Sequence, residues 1–280
     1  MQEYMALHQS AQPIIDLAIK NAIDAPFLLD QALALSALHL STKDVSKALL
    51  YQRQATELQT RALESFNQGR EKHGGTDYLP VFLFASLLGI HSLKETLANH
   101  RDSLPAFIEA FIHYLHLHRG VRAFITNESW AHILESELKP LLFLSDVSNR
   151  LDEHTQGTET VQMKDFLGSC GSTSEPVGAC RRALDWMQWV LDLCKQDPDD
   201  EYLGIHAVLA WPLVIPDEYI EALHQRRPEA FAVLAFYAAV LDRYRQFWVF
   251  EGAGASLLSQ ISASIGSYWL AHLNLPNDKL

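Results

Sequence analysis

Glu109, His113 and His116, with His118 beyond, follow one another at four- and three-residue intervals, so a helix would stack them on one face as metal ligands must be stacked. Zinc also needs a fourth ligand or a water, no His-Glu-x-x-His word occurs, and the segment is dense in aromatics. Exposed or locally satisfied histidines are the simpler reading, and no metal is expected. His39 lies inside an apolar helical pattern, where a neutral imidazole must be hydrogen-bonded or face a cavity to offset its burial. Glu251, between Phe250 and Gly252, is a carboxyl that apolar surroundings would keep protonated and able to donate a proton; its plainer role is a helix-end partner for Arg243 or Arg245. Gly252 and Gly254, either side of Ala253, permit positive φ or close backbone approach. Phe231, Tyr237, Tyr244, Phe247 and Trp248, with Trp186, Trp189 and Trp211, suffice to wall a flat apolar ligand, although most aromatics simply pack a core. The Tyr237 hydroxyl is the expected orienting group.

Chemistry that needs a cofactor is not indicated. The chain has no phosphate-cradling glycine loop, no Gly-x-Ser-x-Gly elbow, and no Cys-x-x-Cys pair among Cys170, Cys180 and Cys194. Twenty-two basic against 34 acidic residues give a net charge of −12, and the densest basic pairs are Arg181-Arg182 and Arg226-Arg227. That balance repels phosphate backbones, so direct nucleic-acid binding by this chain is not expected. The start of the chain lacks a secretory pattern, and the longest apolar run, residues 79–90, is interrupted by Pro80, Ser86 and Gly89 and falls short of a membrane span. A reducing compartment, cytoplasm or nucleus, fits the cysteine usage.

The elements that must position these residues are helices. Apolar residues recur at three- and four-residue spacing over 27–40, 45–68, 80–92, 105–118, 130–143, 179–195 and 202–210, and Pro216 and Pro228 open two more helices. From Pro228 to Trp248 the pattern is apolar on every side, which predicts a buried central helix. A last helix is expected from about residue 255 to 273. Residues 145–178, rich in Ser, Thr, Gly, Asp and Glu, read as a flexible loop. The expectation is an all-α single domain over residues 1–280, of about ten helices around the 228–248 rod.

Several words carry a family resemblance. They are Phe27-Leu28-Leu29 running into the stretch 34–40, Arg119-Gly120-Val121-Arg122-Ala123, and Trp130 leading to Pro140-Leu141-Leu142. More specific are Trp211-Pro212, Arg226-Arg227-Pro228-Glu229-Ala230, Val233-Leu234-Ala235, Tyr237-Ala238, Phe247-Trp248 and Glu251-Gly252. In order and spacing, residues 25–276 resemble the regulatory domain of fungal zinc-cluster transcription factors, in the branch of sterol-uptake-control regulators. The resemblance implies a helical domain that binds a hydrophobic small molecule and controls activation, with ligand control near the glycine segment. The family's six-cysteine zinc module is absent from this sequence, which starts in what resembles the regulatory domain's first helix; a fragment and a stand-alone domain are both open. Where the family usually has Gly-Trp-Gly, this chain has Gly252-Ala253-Gly254. Phe236 stands where relatives often carry His, and Leu275-Pro276 where they carry Trp-Pro.

Two functions follow as expectations. One is a ligand-sensing regulator of a fungal lipid or secondary-metabolite pathway, with Phe231, Tyr237, Tyr244, Phe247, Trp248, Gly252, Ala253 and Gly254 at its site. The other is a cofactor-independent cyclase, isomerase or pericyclase reusing that pocket, for which Glu251, Tyr237 and His39 are the candidate acid or base groups. The expected partners are an apolar small molecule and a protein or second copy; membrane insertion is not expected.

Overall fold

The structure is a computed structural model describing residues 11–73, 78–122, 131–133, 135–137, 157–169, 175–196 and 201–275. Among these residues all regular structure is helical and no strand occurs, so the protein is all-α as the apolar spacing predicts. The helices are α1 (Ala11–Ala22), α2 (Pro26–Lys43), α3 (Ala48–His73), α4 (Tyr78–Asn99), α5 (Leu104–Arg122), α6 (Val161–Ser169), α7 (Glu175–Gln196), α8 (Glu201–Val214), α9 (Asp217–His224), α10 (Pro228–Arg243), α11 (Ala253–Ser264) and α12 (Gly266–Leu270), with one 3₁₀ turn at Val45–Lys47.

The chain divides into two compact units, Met1–Leu93 with His116–Asn149, and Lys94–Leu115 with Arg150–Leu280, the boundaries falling inside α4 and α5. In the first unit α2 and α3 pack as a helical hairpin. Pro26 opens α2 where its missing N–H costs nothing, and Asp44 accepts the Ser46 amide at 3.1 Å to start the 3₁₀ turn. Arg61 grips Asp30 across the hairpin through both carboxylate oxygens, and Phe27, Phe66 and Phe84 form a ring cluster with centroids 4.8–5.4 Å apart. Helix α4 is 22 residues long and, by length and composition, apolar enough to cross a membrane, which the interrupted 79–90 run did not suggest; 67% of its apolar window is buried within the protein.

In the second unit α10 carries the core. Every residue from Ala230 to Ala238 is buried, together with Val240 and Leu241, and α7, α8, α9 and α11 pack on it. Burial of an all-apolar helix is what its composition requires. It is shorter than the periodicity suggests: after Arg243 the chain descends through three successive turns, in which Phe247, Phe250 and Ala253 amides donate to the carbonyls of Tyr244, Phe247 and Phe250. Two cations take carbonyls in this segment. Lys94 Nζ donates to Trp248 O at 2.8 Å and Arg101 Nη2 to Glu251 O at 2.5 Å.

The 145–178 stretch is not loop throughout. Met163, Phe166 and Leu167, at helical spacing, bury α6, and Gln188 of α7 pins its start by accepting both the amide and the hydroxyl of Thr160. α7 itself begins at Glu175. The last helix is broken at Gly266, whose φ is +76°, giving α11 and α12 in place of one rod. Most of the expected 130–143 helix lies outside the described residues.

Candidate functional site

Two of the aromatic side chains singled out in the sequence meet at the centre of the second unit. Tyr237, wholly buried, stacks on Trp211 of α8 with ring centroids 4.6 Å apart, and Phe111 of α5 lies 6.0 Å away. Trp211 in turn meets Tyr219 edge-on at 5.8 Å. The polar tips differ in their partners. Trp211 Nε1 donates to Ala183 O at 3.2 Å and Tyr219 donates its hydroxyl to Ala230 O at 3.1 Å, while the Tyr237 hydroxyl, also buried, has no hydrogen-bond partner among the described residues. An unpaired buried hydroxyl costs about 1–3 kcal/mol. Burial holds both phenols well above the usual tyrosine range, so each remains a neutral O–H donor.

The other candidates form separate neighbourhoods. Tyr244 is buried, with its hydroxyl against the Gly204 backbone, where a side chain on residue 204 would collide with it. Phe247 packs on Phe250 at 5.0 Å, and Trp248 carries the Lys94 ammonium 5.6 Å from its ring centre. Burial pushes the Lys94 pKa down to about 8, with the Arg101 charge adding to the shift. Phe231 is buried on α10.

The glycine segment has a packing role. Gly252 is the residue before α11 and has φ +67°, the left-handed region that glycine tolerates. Ala253 is buried. Gly254 lies directly on the backbone of α10: a Cβ there would fall against Asp242 N and 2.5 Å from Ala238 O. Its missing side chain lets α10 and α11 cross at backbone contact.

Of the acid–base candidates, Glu251 is exposed rather than held in apolar surroundings, whereas Tyr237 is sealed inside the same unit. His39 belongs to the first unit, in α2. Burial, aided by positive charge including that of Lys43, pushes the His39 imidazole down to about 3. Unfolded, this side chain takes up a proton near 6.5; folded, it does not until about 3, so between these values the unfolded chain binds more protons. The stability due to neutral His39 is whole above pH 6.5 and is lost as the pH falls towards 3. His39→Gln is expected to flatten the pH dependence of unfolding free energy across that window, measured by denaturant titration at several pH values; parallel profiles for the two proteins would refute it.

The metal-like quartet diverges. Glu109, His113 and His116 are exposed on α5, Glu109 pairs with Arg226 at 3.1 Å, and the His118 ring lies against Gly89. Among the described residues no three metal-ligating side chains converge. The opposite face of α5 carries what the histidines obscured in the sequence: Phe107, Phe111 and Tyr114, all buried, repeat at four- and three-residue spacing. That period was the available signal for α5 as a wall of the Tyr237 cluster. Lys94 and Arg101 had no such signal, because their acceptors are main-chain carbonyls some 150 residues away in sequence.

Comparison with known proteins finds similarity to a Zn(2)-C6 fungal-type transcription factor of Gibberella zeae, 24% identical over 268 residues, which cover 89% of this chain and 52% of that protein. The chain thus spans about half the length of this relative. No family model matches the sequence, and no solved structure matches it.

Proposed function

We propose that this chain is a regulatory protein of the fungal zinc-cluster transcription-factor type, acting in the nucleus or cytoplasm, whose second unit responds to an apolar small molecule. The similarity to a fungal-type transcription factor runs along 89% of the chain, which supports the transcription-factor part of this reading. The observation that carries the ligand reading is the Tyr237 hydroxyl. It is the polar tip left unsatisfied within the Trp211–Tyr219–Tyr237 aromatic group, as expected of a group reserved for a guest's single oxygen. A mostly hydrocarbon molecule with one hydroxyl or carbonyl, such as a sterol, has that chemistry. Binding would favour one packing of α8, α10 and α11 over another and so change the surface offered to a transcriptional partner.

Tyr237→Phe tests this reading. Because the hydroxyl has no partner among the described residues, the variant should fold with equal or slightly higher stability. It should bind cholesterol about fivefold more weakly by quenching of tryptophan fluorescence, while cholestane, which lacks the oxygen, should bind both proteins alike. Unchanged cholesterol affinity would remove Tyr237 as the anchor, and absence of binding by the unaltered protein would remove the sterol reading.

A further inference from the structure

Helix α2 has two apolar faces, and its own unit uses one of them. Leu28, Leu35 and Leu38 are buried, whereas Leu29, Leu33 and Leu40 remain 44%, 46% and 45% exposed. With Pro26 and Ser36 the exposed residues follow a three-four-three-four spacing, which places them on a single narrow seam of the kind that pairs helices in coiled coils. Ser36 turns its hydroxyl back onto Ala32 O at 2.8 Å, so it can enter an apolar contact without losing a partner. Before and after these residues in sequence, Ile19, Ile23, Val45, Leu49 and Leu50 are 52–85% exposed as well, so large apolar side chains are left uncovered on both sides of the helix along the chain.

We infer that a second copy of this chain packs on this seam, with the two α2 helices antiparallel about a twofold axis near Leu33 and Ser36. The charges specify the arrangement. From Pro26 to Thr42 the only ionisable side chains are Asp30 and His39, both buried, so the helix itself places no charge on the seam, and the neighbouring charge is the Arg61 guanidinium of α3, paired with Asp30. An exposed acid, Asp24, lies just before the helix and an exposed base, Lys43, closes it. An antiparallel copy sets each Asp24 near the other's Lys43, opposes the helix dipoles favourably, and brings Leu29 of one copy against Leu40 of the other. A parallel pairing would juxtapose like charges at both ends.

The test is sedimentation equilibrium of the full chain over a concentration series. The unaltered protein should form dimers, and Leu33→Glu should weaken them at least tenfold while leaving the far-ultraviolet circular-dichroism spectrum unchanged, since Leu33 is half exposed. Asp24→Lys and Lys43→Asp should each weaken the dimer, and the double exchange should restore it. A monomer throughout, or a dimer indifferent to Leu33→Glu, would overturn the interface, and failure of the double exchange to restore it would overturn the antiparallel arrangement.

Discussion

Trp211→Ala should lower the unfolding free energy by about 4 kcal/mol. Trp211 has no exposed surface, and its indole is stacked on Tyr237 and edge-on to Tyr219. Truncation would remove both ring contacts, leave a cavity in the core, and lose the hydrogen bond from the indole N–H to the Ala183 carbonyl. Trp211→Phe keeps a ring and loses the N–H, so it should recover more than half of the loss. Denaturant unfolding followed by far-ultraviolet circular dichroism measures both. A cost under about 1 kcal/mol for the alanine variant would mean that the site collapses freely, and that α8 does not hold α10 in place.

Gly254→Ala should cost about 3 kcal/mol, a large penalty for adding one methyl group. Its Cβ would fall onto main-chain atoms of Asp242 and Ala238, and a helix backbone cannot turn aside as the end of a flexible side chain can. The two helices would have to separate along their crossing. Serine should cost at least as much. Gly252→Ala, by contrast, meets only the flexible Arg101 guanidinium and pays mainly for its φ of +67°, on the order of 1 kcal/mol. The ordering of these two variants in denaturant midpoint is the diagnostic: if the Gly252 variant were the less stable, close approach of α10 and α11 would not be the reason for the second glycine.

That contrast also shows what was legible in the sequence. Two glycines around Ala253 announce an unusual backbone, but not which of them turns the chain and which admits a neighbouring helix, because that depends on where α10 lies. The helices themselves were readable wherever one face is apolar and wherever proline marks a start, as at Pro26 and Pro228. The end of α10 was not, since apolar residues continue to Phe250 through turns whose free carbonyls are taken by distant cations. Helix α6 was hidden by polar composition; three well-spaced apolar residues suffice to anchor it. Of the ligand candidates, Tyr237 was recognisable as an aromatic with a polar tip. Its lack of a partner was not, being a property of every atom around it.

The claim on which the functional account rests is that the second unit takes an apolar guest carrying one oxygen at Tyr237. Thermal melting of the purified chain against increasing cholesterol, beside Tyr237→Phe and the cholestane control, tests it most directly. The midpoint should climb with the logarithm of sterol concentration once binding saturates, climb less in the variant, and under cholestane climb equally in both. A midpoint unmoved by either compound, with no lipid recovered by solvent extraction of the protein as purified, would contradict it.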